Sequence, residues 1–329
     1  MQRKHLRIEQ VPTLAEYLEY WLHQSVKPRV RPHTFAGYSV NVHKHLVPTL
    51  GKIRLDHLTP QHVLDMINGR LSAGFSPKTV AYVHQVLRTA LELARRWELI
   101  DRNVASMVDP PHRERPKIHP MDPTEARQFL DSIHDHRLEA LFAVALAMGL
   151  RQGEALGLQW DDVDLRVGSL SVRHQLQRID RRLVLVEPKT ERSHRTIAIP
   201  PTVVERLRAH EARQLAEKLW AGSKWMDSAF VFTNRNGGPL EARRVIDEFH
   251  KALAAAGMPR IRFHDLRHSC ATLLLVQGVS PRVVMEILGH SDIAMTMNTY
   301  SHVVPELQRE AASRMDSLLT GARNAERER

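Results

Sequence analysis

The chain contains one cysteine, Cys270, in 329 residues, so no internal disulfide can form, which fits a reducing cytoplasm. It also lacks an apolar run of the roughly 18 residues that a spanning helix needs. The longest candidate, around Leu141–Leu150, is too short and reads as a buried helix. Arg3, Lys4 and Arg7 give the N-terminus charge, but no apolar stretch follows, so a secretory signal is not expected. Acidic residues are the scarcer charge: 37 Asp and Glu against 47 Lys and Arg, for a net charge of +10. Such an excess favours a polyanionic partner, and without membrane features that partner is nucleic acid rather than an anionic membrane. A basic but merely solvated surface satisfies the charge equally well. Hydrophobic residues at 43% suffice for a sizeable core, and the length suits two domains. The 20 histidines fall in no H-E-x-x-H pattern and beside no cysteine pair, so neither a metal nor another cofactor is expected.

Residues 1–12 read as a short arm. Thr13 then opens a helix, with Glu16 at capping-box spacing and Leu14, Tyr17, Leu18, Trp21 and Leu22 forming one apolar stripe. A second helix is expected over Pro32–Leu50, ending at Gly51. Thr59-Pro60 and Ser76-Pro77 each pair a cap residue with proline at the first helical position, opening a third and a fourth. Residues 13–108 thus read as an all-helical domain. Four prolines and alternating charges over 109–120 resist helix and sheet alike and suggest a linker. Residues 121–304 read as a second domain, helical with a small antiparallel β-sheet. Its helices are expected after Asp122-Pro123 and over Glu139–Met148, Thr202–Leu219, Glu241–Ala256, His264–Val276 and Pro281–Leu288. Its β-type stretches are Ser169–Val172, Leu183–Glu187 and Thr196–Ile199, the last two read as a hairpin around Lys189–His194. Residues 305–329 read as an amphipathic helix and tail, with Leu307, Ala311, Met315 and Leu318 at helical period. The stripe must be buried, either on its own second domain or on a neighbouring protomer.

Three segments carry candidate chemistry: Gly149-Leu150-Arg151 with Glu154 and Leu158; His264-Asp265-Leu266-Arg267-His268; and Leu288-Gly289-His290, followed by Tyr300. With a lysine-bearing hairpin between the first two, this ordered set resembles the tyrosine recombinases, the family of phage and transposon integrases and Xer-type resolvases. The resemblance covers nearly the whole chain, since residues 13–108 also look like the family's helical core-binding domain. Met148 stands where a threonine is usual, with no expected effect on chemistry. The resemblance implies Tyr300 as nucleophile, assisted by Arg151, Lys189, His264, Arg267 and His290. Lys189 has basic neighbours in Arg192, His194 and Arg195 that compete for its role. It further implies a site-specific DNA recombinase working through a 3′-phosphotyrosyl intermediate without ATP or metal. Four protomers would gather on two double-stranded sites, with the two domains clamping the duplex and accessory bending or directionality proteins as possible partners. An integrase of a mobile element fits better than a resolvase, given the basic C-terminal extension. The additional N-terminal arm-site domain of many integrases is not visible here.

The chemistry supports the same residues. Phosphodiester displacement spreads negative charge over the non-bridging oxygens, and fixed cations stabilise that state more than the ground state. Arginine donates paired hydrogen bonds and never deprotonates, so Arg151 and Arg267 suit a clamp. Tyrosine, with a reference pKa of about 10, needs nearby cations or a base such as His264. The leaving 5′-oxygen needs a proton, which Lys189 can deliver. Glu154 reads as an orienting partner for a basic neighbour, and Cys270 as small core filler. Two other readings compete: a DNA-binding accessory factor without chemistry, and a metal-dependent nuclease built on the histidines.

Overall fold

In the computed structural model, residues 11–112, 119–179, 182–188, 193–289, 312–313 and 315–319 are described. The chain divides into two compact units, 1–116 and 117–329.

The first unit is helical. Helix α1 (Leu14–Trp21) begins at a full capping box, in which Thr13 accepts from the Glu16 amide and the Glu16 carboxylate accepts from the Thr13 amide. It buries Leu14, Tyr17, Leu18 and Trp21, and the Tyr17 hydroxyl donates to the Ala90 carbonyl at 2.6 Å. The expected second helix is α2 (Pro32–Asn41), a wider π-helical turn at Val42–Leu46, and α3 (Val47–Leu50). Helices α4 (Pro60–Ser72) and α5 (Pro77–Arg96) begin at the Thr59 and Ser76 caps with proline at the first position. Helix α5 carries the long apolar stripe that the other helices cover, from Val80 to Ala94.

The second unit is helical around a small sheet. Helix α6 (Pro123–Ser132) starts from Asp122, and α7 (Glu139–Met148) is buried along almost its entire length. After α8 (Gln152–Leu156) come β1 (Val163–Asp164), β2 (Ser169–Val172), β3 (Gln175–Ile179), β4 (Arg182–Val186) and β5 (Arg195–Ala198). Then follow α9 (Pro201–Ala221), α10 (Ala242–Ala255), α11 (Asp265–Val276) and α12 (Pro281–Leu288). The core joins Phe129, Phe142, Phe249 and Phe263, with aromatic centroids 5.5–6.3 Å apart, to the apolar faces of α7, α9 and β2. Residues 312–313 and 315–319 are helical, whereas Pro305, Leu307 and Ala311 of the expected tail helix lie outside the described residues.

The strand pairing corrects the expected hairpin. Segment 183–187 does not pair with 196–199. Instead β4 pairs antiparallel with β3, Leu185 opposite Leu176, and β5 pairs with β2, Ile197 opposite Leu170. Only two residues separate β3 from β4, against eight between β4 and β5. Closing the shorter connection costs less chain entropy, and a two-residue loop is the favoured length for a hairpin. Strand β3, Gln-Leu-Gln-Arg-Ile, was not anticipated because its polar residues weaken the alternating signal.

Candidate active site

The site begins where α7 ends. Gly149 caps the helix in the left-handed region at φ 61°, and a Cβ there would lie 2.5 Å from Leu288 Cδ2 and 3.2 Å from Cys270 Sγ. This tight reversal buries Leu150 and places Arg151 at the N-cap of α8. Arg151 donates from Nη1 to Glu154 Oε1 at 2.6 Å and from Nη2 to the Gly289 carbonyl at 3.2 Å. Its side chain remains 37% exposed despite these bonds. Glu154 is the orienting carboxylate expected from the sequence. Its side chain is only 3% exposed, and its second oxygen accepts from Arg195 Nη2 at 2.9 Å. Burial pushes its pKa up, but the charges of Arg195 and Arg151 and their hydrogen bonds outweigh this and hold it below the ordinary value. Glu154 is therefore a buried anion between two cations.

Arg267 lies on α11 and is 2% exposed. It donates from Nη1 to the Gly149 carbonyl at 2.7 Å and from Nη2 to the Leu288 carbonyl at 2.5 Å, joining the end of α7 to the end of α12. His264, at the N-cap of the same helix, is exposed, yet its pKa is lowered. Partial desolvation of the ring contributes most, followed by the charges of Arg267 and Arg262 and, more weakly, Arg151. A neutral imidazole at neutral pH can accept a proton. Asp265 fixes the approach to this helix, accepting from the Arg262 amide at 2.8 Å and from Arg262 Nη2 at 2.6 Å. His268, one turn on, stands edge-to-face with His264 at 5.2 Å, and burial followed by the neighbouring His264 pulls its pKa down to about 4. Cys270 is buried with its thiol pushed up to about 12, as expected of core filler rather than a nucleophile.

The structure thus brings together Arg151, Glu154 and Arg267, with the charges of both arginines felt at His264. Lys189, His290 and Tyr300 lie outside the described residues. Arg195, treated in the sequence as one more basic residue near Lys189, is a buried partner of the site, its side chain only 7% exposed. The signal available for it was weak: position 195 opens a strand whose buried residue is Ile197. With Arg173, His174, Glu187 and His194, Arg195 also lines an open cleft of about 600 Å³. Among the described residues no group of three His, Cys, Asp or Glu side chains is placed to hold a metal ion. Nor is any described helix long and apolar enough to cross a membrane.

Comparison with known proteins identifies the chain's family and fold. Residues 120–306 match the phage integrase family, and residues 13–71 match the N-terminal SAM-like domain of phage integrases. A XerC-like tyrosine recombinase of Caldanaerobacter subterraneus subsp. tengcongensis is 30% identical, over 93% of this chain and 83% of that protein. An integrase of Saccharopolyspora erythraea is 28% identical, over 94% and 83% respectively. The fold matches the Tn1549 transposon integrase in complex with a circular-intermediate DNA with a TM-score of 0.77, at 23% identity, covering 92% of this chain and 99% of that one. With the family match spanning more than half of its length, the chain belongs to the phage integrase family of tyrosine recombinases.

Proposed function

We propose that this recombinase integrates and excises a mobile element by cutting and rejoining DNA through a 3′-phosphotyrosyl bond to Tyr300. The observation that carries the reading is the arginine arrangement at the α7–α8 junction, supported by the names of the relatives. Arg151, fixed by a buried carboxylate and with its side chain 37% exposed, is preorganised to hold the non-bridging oxygens of a phosphodiester. Arg267 adds a fixed positive charge from within the fold. Both stabilise the transition state without having to rearrange when the charge develops.

The Tyr300 oxygen attacks phosphorus as its proton leaves, with the neutral His264 as acceptor. The bond from phosphorus to the 5′-oxygen breaks, and that oxygen takes a proton from Lys189. His290 assists at the phosphate. The phosphotyrosyl bond conserves the energy of the cleaved one, so rejoining to a second 5′-hydroxyl calls for neither ATP nor metal. Four strands are cut in an exchange and each needs one tyrosine, which makes a tetramer on two duplex sites the working unit. The unit containing residues 13–108 and the catalytic unit both carry excess positive charge and share the binding of the core site.

The test is a nicked suicide substrate, incubated with the protein in excess chelator and without nucleotide. An adduct resistant to SDS should accumulate with the natural sequence and be absent for Tyr300→Phe, which should still bind the DNA. No adduct with the natural sequence, or one only when divalent metal is added, would refute the reading in favour of a binding factor or a metal nuclease.

A further inference from the structure

The C-terminal end of a helix leaves its last carbonyls without intrahelical partners. At the end of α12 three successive carbonyls are each taken by a guanidinium from a different element. The Ile287 carbonyl accepts from Arg195 Nε at 2.7 Å, that of Leu288 from Arg267 Nη2 at 2.5 Å, and that of Gly289 from Arg151 Nη2 at 3.2 Å. Positive charge at a helix C-terminus is favourable, but one cation would satisfy that interaction.

Arg195 differs from the other two in belonging to no proposed contact with the phosphate. Its side chain is only 7% exposed, and Nε, Nη1 and Nη2 each already donate to a group of the protein, so its fork is committed inside the fold. Burying a guanidinium is costly, and for stability alone a well-packed apolar side chain often does as well. What such a side chain cannot do is join several polar groups in a fixed plane. Arg195 joins three: the Ile287 carbonyl through Nε, the Ser193 carbonyl through Nη1 at 3.1 Å, and Glu154 Oε2 through Nη2 at 2.9 Å. Each leads by a short covalent or hydrogen-bonded path to one group of the proposed chemistry. Glu154 holds Arg151. Ser193 follows the segment 189–192 that begins with Lys189, and Ile287 lies three residues before His290.

We infer that Arg195 is a positioning residue for strand cleavage, whose single fork sets the register between Arg151, the root of the Lys189 segment and the end of the helix preceding His290. The inference rests on the proposed phosphotyrosyl reading. A displacement of such groups by about 1 Å costs a reaction of this kind on the order of a hundredfold, and a partial loosening about tenfold.

The experiment is single-turnover cleavage of the suicide substrate by the full chain carrying Arg195→Met or Arg195→Lys. DNA affinity and thermal stability are measured in parallel. The amplitude of cleavage reports the folded, competent fraction, while the rate constant reports the geometry of the site, which a purely structural role would leave unchanged. We expect the rate constant to fall by about tenfold to a hundredfold at unchanged affinity. Arg195→Lys should fail to restore it, because one ammonium cannot span three acceptors held by a fork. A rate constant within about twofold of the natural protein in a folded variant, with any loss confined to amplitude or stability, overturns the inference. Should Arg195→Met not fold, Arg195→Lys decides alone. Failure of the natural protein to form the adduct refutes the proposed function instead, so the two failures remain distinct.

Discussion

At the scale of single residues, the site depends on buried polar groups whose charge is settled by their neighbours. Glu154 stays ionised because two guanidiniums face it, and Arg267 is tolerated inside the fold because backbone carbonyls take its donors. His268 is the opposite case, a ring kept neutral by burial and by His264. Its folded pKa of about 4 lies below the ordinary 6.5, so as the pH falls the unfolded chain takes up the proton first. The stability it contributes is fully present above pH 6.5 and is lost progressively as the pH falls toward 4. Denaturant unfolding across that range should therefore show a steeper loss of stability for the natural sequence than for His268→Gln. Parallel curves would mean that the ring is already charged in the folded protein.

At the scale of elements, the site is built from helix ends, and these were largely legible. Thr13, Thr59, Ser76 and Asp122 announced their helices because a cap residue followed by proline or by an acidic residue three positions on has a local cause. Strand partners have no such local cause. Two apolar stretches around a polar turn suggest a β4–β5 hairpin, but the short β3–β4 connection prevails. Arg195 was hidden for a related reason. It lies among other basic residues, and its role arises only when β5, α8 and the end of α12 come together. Gly149 shows how much one helix end carries. Gly149→Ala would impose a left-handed backbone on a residue with a Cβ and press that Cβ against Leu288. We expect a loss of about 2–4 kcal/mol, from backbone strain and overpacking together. The loss should shrink in a Leu288→Ala background, as a double-mutant cycle of unfolding free energies would reveal. Equal losses in both backgrounds would exclude the clash as the cause.

At the scale of the whole molecule, composition and charge foretold a polyanion-binding protein of two units, and the ordered motifs foretold its family. Charge is shared between the units: residues 1–112 carry 15 Lys and Arg against 9 Asp and Glu, and the remainder holds the rest of the excess. The polarity of cleavage is written in no single residue. It requires the Tyr300 oxygen to end on a phosphorus that keeps its bond to the 3′-oxygen, leaving a free 5′-hydroxyl. The most direct measurement isolates the protein–DNA adduct from the suicide substrate, digests both components and sequences the modified peptide by mass spectrometry. We expect a nucleotide 3′-phosphate joined to Tyr300, with the released strand bearing a 5′-hydroxyl. A nucleotide attached to any other residue, or joined through a 5′-phosphate, would contradict it.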